Sequence, residues 1–236
     1  YDITYRRVPL TETFAIDIGD YIEESRNHDI TGIIFPNPNA PTGRALKRSE
    51  IEKLLKEIPK SVPVVIDEAY VDFGAESSLP LLAECENLIV VQTFSKNRSL
   101  AGMRVGYAAG SPEVIGLLNT VKNSFNSYPL DTLSQKIASV SLLDSEHFDT
   151  ARRRIIASRE RTAEELSRTG WYVIPSQANF IFARHPSIPG KDIYERLREK
   201  GILVRYFGTS GIEDFVRISI GTDEEMEKLI QAARSL

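Results

Sequence analysis

Cysteine occurs once in these 236 residues, at Cys85. A single thiol closes no internal disulfide, so a disulfide-stapled scaffold is excluded, and a reducing compartment, the cytoplasm, is the expected setting. Histidine occurs three times, as His28, His147 and His185, each in a polar or proline-flanked stretch. All three read as solvated, and no metal-ligand spacing can be assembled from them and one cysteine. No apolar run approaches the ~18 residues of a membrane span. The start of the sequence has no signal-peptide pattern. Neither sign of charge dominates: 29 Lys+Arg are interspersed with 33 Asp+Glu, a net charge of -4. Nucleic acid and anionic membrane both demand a basic surface, so neither is expected as the main partner. Internal repeats and low-complexity segments are also absent.

What remains is the composition of a globular chain, 42% hydrophobic and 26% charged, long enough for one large domain or two modest ones. The opening decapeptide, Tyr1 to Leu10, reads as a strand running into a loop, the middle of a fold, so a fragment or processed product is expected. Alternation predicts a strand over 3–8 and the polar stretch 17–26 a short helix. Residues 30–35 form a compact apolar strand. The loop after it, Pro36-Asn37-Pro38-Asn39-Ala40-Pro41-Thr42-Gly43, holds three prolines that forbid helix. Ile51, Leu54, Leu55 and Ile58 share one face of a helix over 49–58. The runs 62–67, 88–92 and 104–108 read as further strands. Their near-continuous apolar character suits parallel strands covered by helices. Helices follow at 112–121, with Pro112 in the first turn, and at 130–143.

From about Glu146 the texture changes. Phe148, Ile155, Ile156, Thr162, Ala163 and Leu166 mark a long helix that Gly170 terminates. Its Arg and Glu residues read as a solvated face with i,i+4 pairs. Strands at 171–174, 179–183, 202–205 and 215–220 then mix with amphipathic helices at 191–200 and 223–233. The expected fold class is therefore α/β with a mostly parallel sheet, in residues 1–145, followed by the long connecting helix and a smaller α+β domain in 146–236. Gly74 and Gly190 read as loop hinges.

Polar groups collect where the predicted strands end. Lys96 follows the strand 88–92, with hydroxyls on Thr93 and Ser95 just before it and Arg104 eight residues after it. Asp67 and Tyr70 follow the strand before that, and the proline loop an earlier one. In open α/β sheets, ligands bind beyond the carboxyl ends of the strands, so the three loops can meet at one site. The residue types fit pyridoxal phosphate. Lys96 offers an amine for a Schiff base, and Asp67 a carboxylate to keep the pyridine nitrogen protonated. Tyr70 offers a donor to the ring oxygen, and Thr93, Ser95 and Arg104 suit the phosphate. Blander roles are available to each: a solvated lysine, a helix cap, a tyrosine at the core edge, hydroxyls that satisfy backbone, an arginine in an ion pair.

Pro-Asn-Ala-Pro-Thr-Gly at 38–43, Asp-Glu-Ala-Tyr at 67–70, and Thr-Phe-Ser-Lys with Ala-Gly-Met-Arg-Val-Gly in 93–106 occur in that order. With Val-Arg-Ile-Ser-Ile-Gly-Thr at 216–222 they closely resemble the fold-type I, class II aminotransferases, and among these the histidinol-phosphate aminotransferases. The resemblance covers essentially the whole chain. It implies transfer of an amino group from histidinol phosphate to 2-oxoglutarate, giving glutamate, by a homodimer with pyridoxal phosphate. It further implies that Lys96 is catalytic, that Arg217 grips a substrate α-carboxylate, and that Arg205 meets the substrate phosphate, although Arg205 also suits a local carboxylate. Ala40 stands where the family usually has an asparagine on the ring oxygen, and Asn39, one residue earlier, is the candidate replacement. Family chains also have a portion before the point matching Tyr1. It carries a glycine-rich turn at a helix N-terminus and an aromatic that stacks on the ring. Other readings are an aromatic aminotransferase or threonine-phosphate decarboxylase on the same cofactor, or an inactive piece serving as an interaction module.

Overall fold

The computed structural model describes residues 2–27 and 29–236. Tyr1 and His28, the latter expected to be solvated, lie outside the described residues.

Four strands form the first sheet: β1 (Ile33–Pro36), β2 (Val64–Asp67), β3 (Leu88–Thr93) and β4 (Gly106–Gly110), side by side in that order. β1, β2 and β3 run parallel, with Ile33 opposite Val64 and Val64 opposite Leu88. β4 turns back antiparallel on β3, Thr93 facing Gly106. The link between them holds only the four-residue helix α3 (Phe94–Asn97) and one 3-10 turn, Ala101–Met103, too little for a helical crossover on the sheet face. The strand expected at 104–108 thus begins later, because Arg104 takes a left-handed conformation, φ 55°, just before it.

Side-chain alternation gives this sheet two different faces. Ile33, Phe35, Val64, Ile66, Leu88 and Val90 point to one side and are buried beneath α1 (Ile18–Asn27) and α2 (Arg48–Glu57), which contribute Ile22, Ile51, Leu54 and Leu55. Ile34 and Asp67 point to the other, where Ile34 is 72% exposed. The parallel ladder continues past the strand ends, as Asn37 donates to the Asp67 carbonyl (2.9 Å) and Glu68 to that of Val91 (2.8 Å). These bonds hold the starts of the three carboxyl-end loops together.

Next come α4 (Pro112–Phe125) and α5 (Thr132–Leu143), capped by Ser111 and Asp131. The long helix α6 (Ser145–Arg168) ends at Gly170, whose φ of 90° suits a residue without a side chain. β5 (Tyr172–Ile174), β6 (Phe180–Arg184), β7 (Arg205–Tyr206) and β8 (Val216–Ser219) make the second sheet, antiparallel throughout, in the order β5-β6-β8-β7. α6, α7 (Gly190–Glu199) and α8 (Asp223–Arg234) cover one face through Leu166, Ile193, Leu197 and Leu229. On the other face Phe182 and Phe215 stack at 4.7 Å, and Phe14 meets Phe215 edge-on.

Four expectations are corrected. Residues 3–8 form no strand, because no neighbouring strand offers them a ladder, and Ile3 and Tyr5 are exposed. Of 202–205 only Arg205 enters a strand, since pairing with β8 begins there. Gly190 is no hinge: a side chain there would stand 2.5 Å from the Glu213 carbonyl, so it is a close backbone approach at the start of α7. His185 is half-buried rather than solvated, packed edge-on to Trp171 with Nδ1 accepting from the Ser187 amide. Among the described residues no helix is long and apolar enough to cross a membrane.

Candidate active site

Lys96 lies in α3, immediately beyond β3, and its side chain is exposed. Its Nζ sits 5.5 Å from the centroid of the Tyr70 ring. Tyr70 leads the 3-10 turn Val71–Phe73 that follows β2. Thr93 starts α3: its Oγ1 accepts from the Ser95 amide (3.1 Å) and its hydroxyl reaches both Ser95 Oγ (2.9 Å) and the Val105 carbonyl (3.2 Å). Arg104 is exposed, with Nη1 donating to the Ala101 carbonyl (2.9 Å). Thr93, Ser95 and Arg104 line one open cleft of about 420 Å³ over β3 and β4, with Tyr107 also on its wall.

Asp67 closes β2 on the open face of the sheet, where its Oδ1 accepts from the Ala69 amide (2.9 Å). Among the described residues it forms no ion pair. Asn39 is drawn into its own loop. It is buried, and its Nδ2 donates to Thr42 Oγ1 (2.8 Å) while its backbone bonds Arg44 and Gly43. Asn37, fully buried, braces that loop by bonding both backbone groups of Leu46.

The second sheet reaches the same region through aromatic rings. The Phe180 ring stands edge-on to Tyr70 at 5.1 Å. The Arg217 guanidinium lies 5.1 Å from the centroid of Phe180 and 5.8 Å from that of Phe207. Arg205, register neighbour of Arg217 across β7 and β8, also sits over Phe207, at 5.5 Å. Arg217 Nε is buried without a hydrogen-bond partner among the described residues. Lys96, Tyr70, Phe180 and Arg217 therefore form a continuous run from the first sheet to the second.

Two buried groups escaped the sequence reading. Glu68, 2% exposed, accepts from Ser77 Oγ (2.7 Å), the Ser78 amide (2.5 Å) and Gln92 Nε2 (2.8 Å). Gln92 Oε1 in turn accepts from the Tyr107 hydroxyl at 2.5 Å. Burial first, then the negative charges of Asp72 and Glu68, pushes the Tyr107 hydroxyl above the usual phenol range. The second is Arg159, whose guanidinium is buried between the two sheets' loops. Each had one signal in the sequence: Glu68 is in phase with Val64 and Ile66, and Arg159 with Ile155, Thr162 and Leu166.

The sequence pattern of the family described as "Aminotransferase class I and II" matches residues 1–232. The chain belongs to this family. As an aminotransferase-family member it is 51% identical, over all 236 residues, to histidinol-phosphate aminotransferase 1 of Bordetella parapertussis, of whose length it spans 65%. The solved histidinol-phosphate aminotransferase of Clostridium acetobutylicum matches 96% of the chain and 69% of its own, at 25% identity and TM-score 0.88. A decarboxylase from Sulfurospirillum multivorans matches 97% of the chain and 68% of its own, at 28% identity and TM-score 0.85. The α/β fold with its mixed, mostly parallel sheet is that of the fold-type I members of the family.

Proposed function

We propose that this chain carries the lysine-bearing half of a pyridoxal-phosphate-dependent aminotransferase that moves an amino group between histidinol phosphate and 2-oxoglutarate. The observation that carries the reading is the run Lys96–Tyr70–Phe180–Arg217, with an amine at one end and an unpaired guanidinium nitrogen at the other. A curated relative of that name at 51% identity supports the choice of substrate.

The residues present fit the cofactor. An exposed lysine amine, an Asp67 carboxylate with no ion pair among the described residues, and a cleft with two hydroxyls and Arg104 match its aldehyde, ring nitrogen and phosphate. When bound, pyridoxal phosphate supplies an electron sink for the pair left when the substrate carbon loses its proton. Lys96 would hold the cofactor, then serve at Nζ as the base that takes that proton and the acid that returns it. Asp67 would bear the charge complementary to a protonated ring nitrogen. Tyr70 would donate to the ring oxygen and, through its contact with Phe180, define the wall facing Arg217. Asn39 would take part through its loop, with its Nδ2 committed to Thr42. Arg217 and Arg205 would receive the anionic end of either substrate: the α-carboxylate of glutamate or, in its turn, the phosphate of histidinol phosphate.

The proposal includes a division at 145/146, supported by the separate sheets with α6 leading into the second. It also includes a cytoplasmic homodimer without nucleic-acid or membrane partners. Exposed apolar side chains on α4 and α5, such as Leu117, Val121, Phe125 and Leu143, support a protein partner there. The fold match to a decarboxylase favours, as second reading, a decarboxylating enzyme on the same cofactor. Turnover with histidinol phosphate, phenylalanine and threonine phosphate separates them. Glutamate formed from histidinol phosphate and 2-oxoglutarate is the expected result. Carbon dioxide from threonine phosphate without glutamate formation would overturn it. If added cofactor produces no visible absorbance, the chain is an interaction module.

A further inference from the structure

We propose that Arg159 is a positioning residue that fixes the separation between Lys96 and Arg217, and so the fit of a substrate reacting at one end and held by its anion at the other. The inference rests on the reading of the site given above. Arg159 sits in the middle of α6 on the buried stripe with Thr162 and Leu166, and its side chain is 5% exposed. A buried cation is costly unless its donors are satisfied. Its carboxylate partner, Glu160, receives Nη2 at 2.6 Å and Nε at 3.0 Å, but is itself largely in solvent.

Nη1 makes the informative contacts. It donates to the carbonyls of Phe73 (2.6 Å) and Ala178 (2.9 Å). Phe73 follows Tyr70 by three residues, and Ala178 precedes Phe180 by two. One nitrogen thus joins the segment that presents Tyr70 to Lys96 with the segment that presents Phe180 to Arg217. Neighbouring bonds run the same way: the Gln177 amide donates to the Gly43 carbonyl (2.7 Å) and Gln177 Nε2 to that of Gly74 (2.8 Å). In front of this clamp, the Tyr70–Phe180 contact is one of ring on ring, which permits sliding. The hydrogen bonds behind it are directional and hold the offset. A guanidinium, with its planar fork, can serve both carbonyls and Glu160 at once. An ammonium at that place would lose the fork.

The test uses Arg159→Lys and Arg159→Met in the protein as its gene encodes it. Displacements of about 1 Å between reacting groups cost up to about a hundredfold, so Arg159→Met should raise KM for histidinol phosphate about ten- to hundredfold, and Arg159→Lys less. Cofactor affinity, read by titrating the visible absorbance, should change less than about threefold, because Asp67 ends β2 and Lys96 and Arg104 lie in the link between β3 and β4, whose hydrogen bonds the variants leave intact. Amide hydrogen exchange at Gln177 should quicken in both variants. Unchanged KM and unchanged Gln177 exchange, with only a lowered Tm, would reduce Arg159 to a stability role and overturn the proposal. Equal loss of cofactor affinity and substrate KM would do the same. If the aminotransferase reading fails, the unmutated protein shows no turnover, and the exchange at Gln177 still decides the positioning role.

Discussion

Replacing Glu68 tests the buried network behind the candidate site. The residue is 2% exposed, its carboxylate forms no ion pair among the described residues, and it is satisfied by three donors. In Glu68→Ala the Ser77 hydroxyl, half-buried, can turn to water. The Ser78 amide and Gln92 Nε2 cannot, and a buried donor left without a partner costs about 1–3 kcal/mol. Two such donors cost about 4 kcal/mol, and the recovered cost of desolvating a carboxylate brings the loss down to about 3 kcal/mol. In a chain of this size each kcal/mol lowers Tm by about 2–4 °C, so the variant should melt roughly 10 °C lower. Glu68→Gln keeps the shape. Its oxygen, in the place of Oε1, can accept from Ser78, while its amide, in the place of Oε2, donates to the Ser77 hydroxyl and to Gln92 once that side chain flips its own amide toward the Tyr107 hydroxyl, so its loss should stay near ~1 kcal/mol. Calorimetry of the three proteins decides. Equal losses for Ala and Gln would show that charge, rather than donor satisfaction, holds the site together. A loss below about 1 kcal/mol for Ala would refute the network outright.

Gly43→Ala should destabilise by about 2–4 kcal/mol, from left-handed strain and overpacking. At φ 79° its new Cβ would meet Ser176 Oγ at a separation of only 2.2 Å and Ser176 Cβ at 2.7 Å. Adding Ser176→Gly should recover part of that loss in a thermal melt, and no recovery would place the cost elsewhere. The raised Tyr107 hydroxyl sets an alkaline limit. The unfolded chain ionises first, so the native advantage is whole below about pH 10 and is lost as pH rises from there through the higher folded value. Tyr107→Phe should flatten that decline in denaturant melts between neutral and strongly alkaline pH, and an unaltered slope would contradict it. Arg217→Met should raise KM for both substrates while sparing cofactor absorbance, because Arg217 lies on the second sheet, apart from the residues assigned to the cofactor. A lost absorbance band would tie it to the cofactor instead.

Much of this was legible because local pattern and tertiary environment agree. Ile51, Leu54 and Leu55 announce α2 by their spacing, and they are buried as that spacing requires. The apolar runs ending in Asp67 and Thr93 are buried parallel strands, and their polar ends lie at the candidate site. What was hidden depends on partners distant in sequence. The alternation in 3–8 is real, but a strand needs a neighbour, and none pairs with it. β4 looks like its parallel neighbours until the length of its connection is weighed. Arg159 was grouped with the solvated charges of α6, although its phase with Thr162 and Leu166 places it inward. The approach of Phe73 and Ala178 satisfies Nη1 and, with Glu160, makes that burial tolerable, and no local pattern encodes such an approach. Asn39 shows a different limit: the motif proposes a ligand contact, and the hydrogen bond of its Nδ2 to Thr42 inside the loop is a partner that spacing alone does not show.

The central claim is that Lys96 is the point at which the cofactor is held. Lys96→Ala, prepared in the protein as its gene encodes it and mixed with pyridoxal phosphate, tests it most directly. The unmutated protein should show the visible absorbance of a lysine-linked cofactor, stable to gel filtration. The variant should show only the free cofactor's spectrum and form no glutamate. A variant that retains the lysine-linked band through gel filtration would contradict the account.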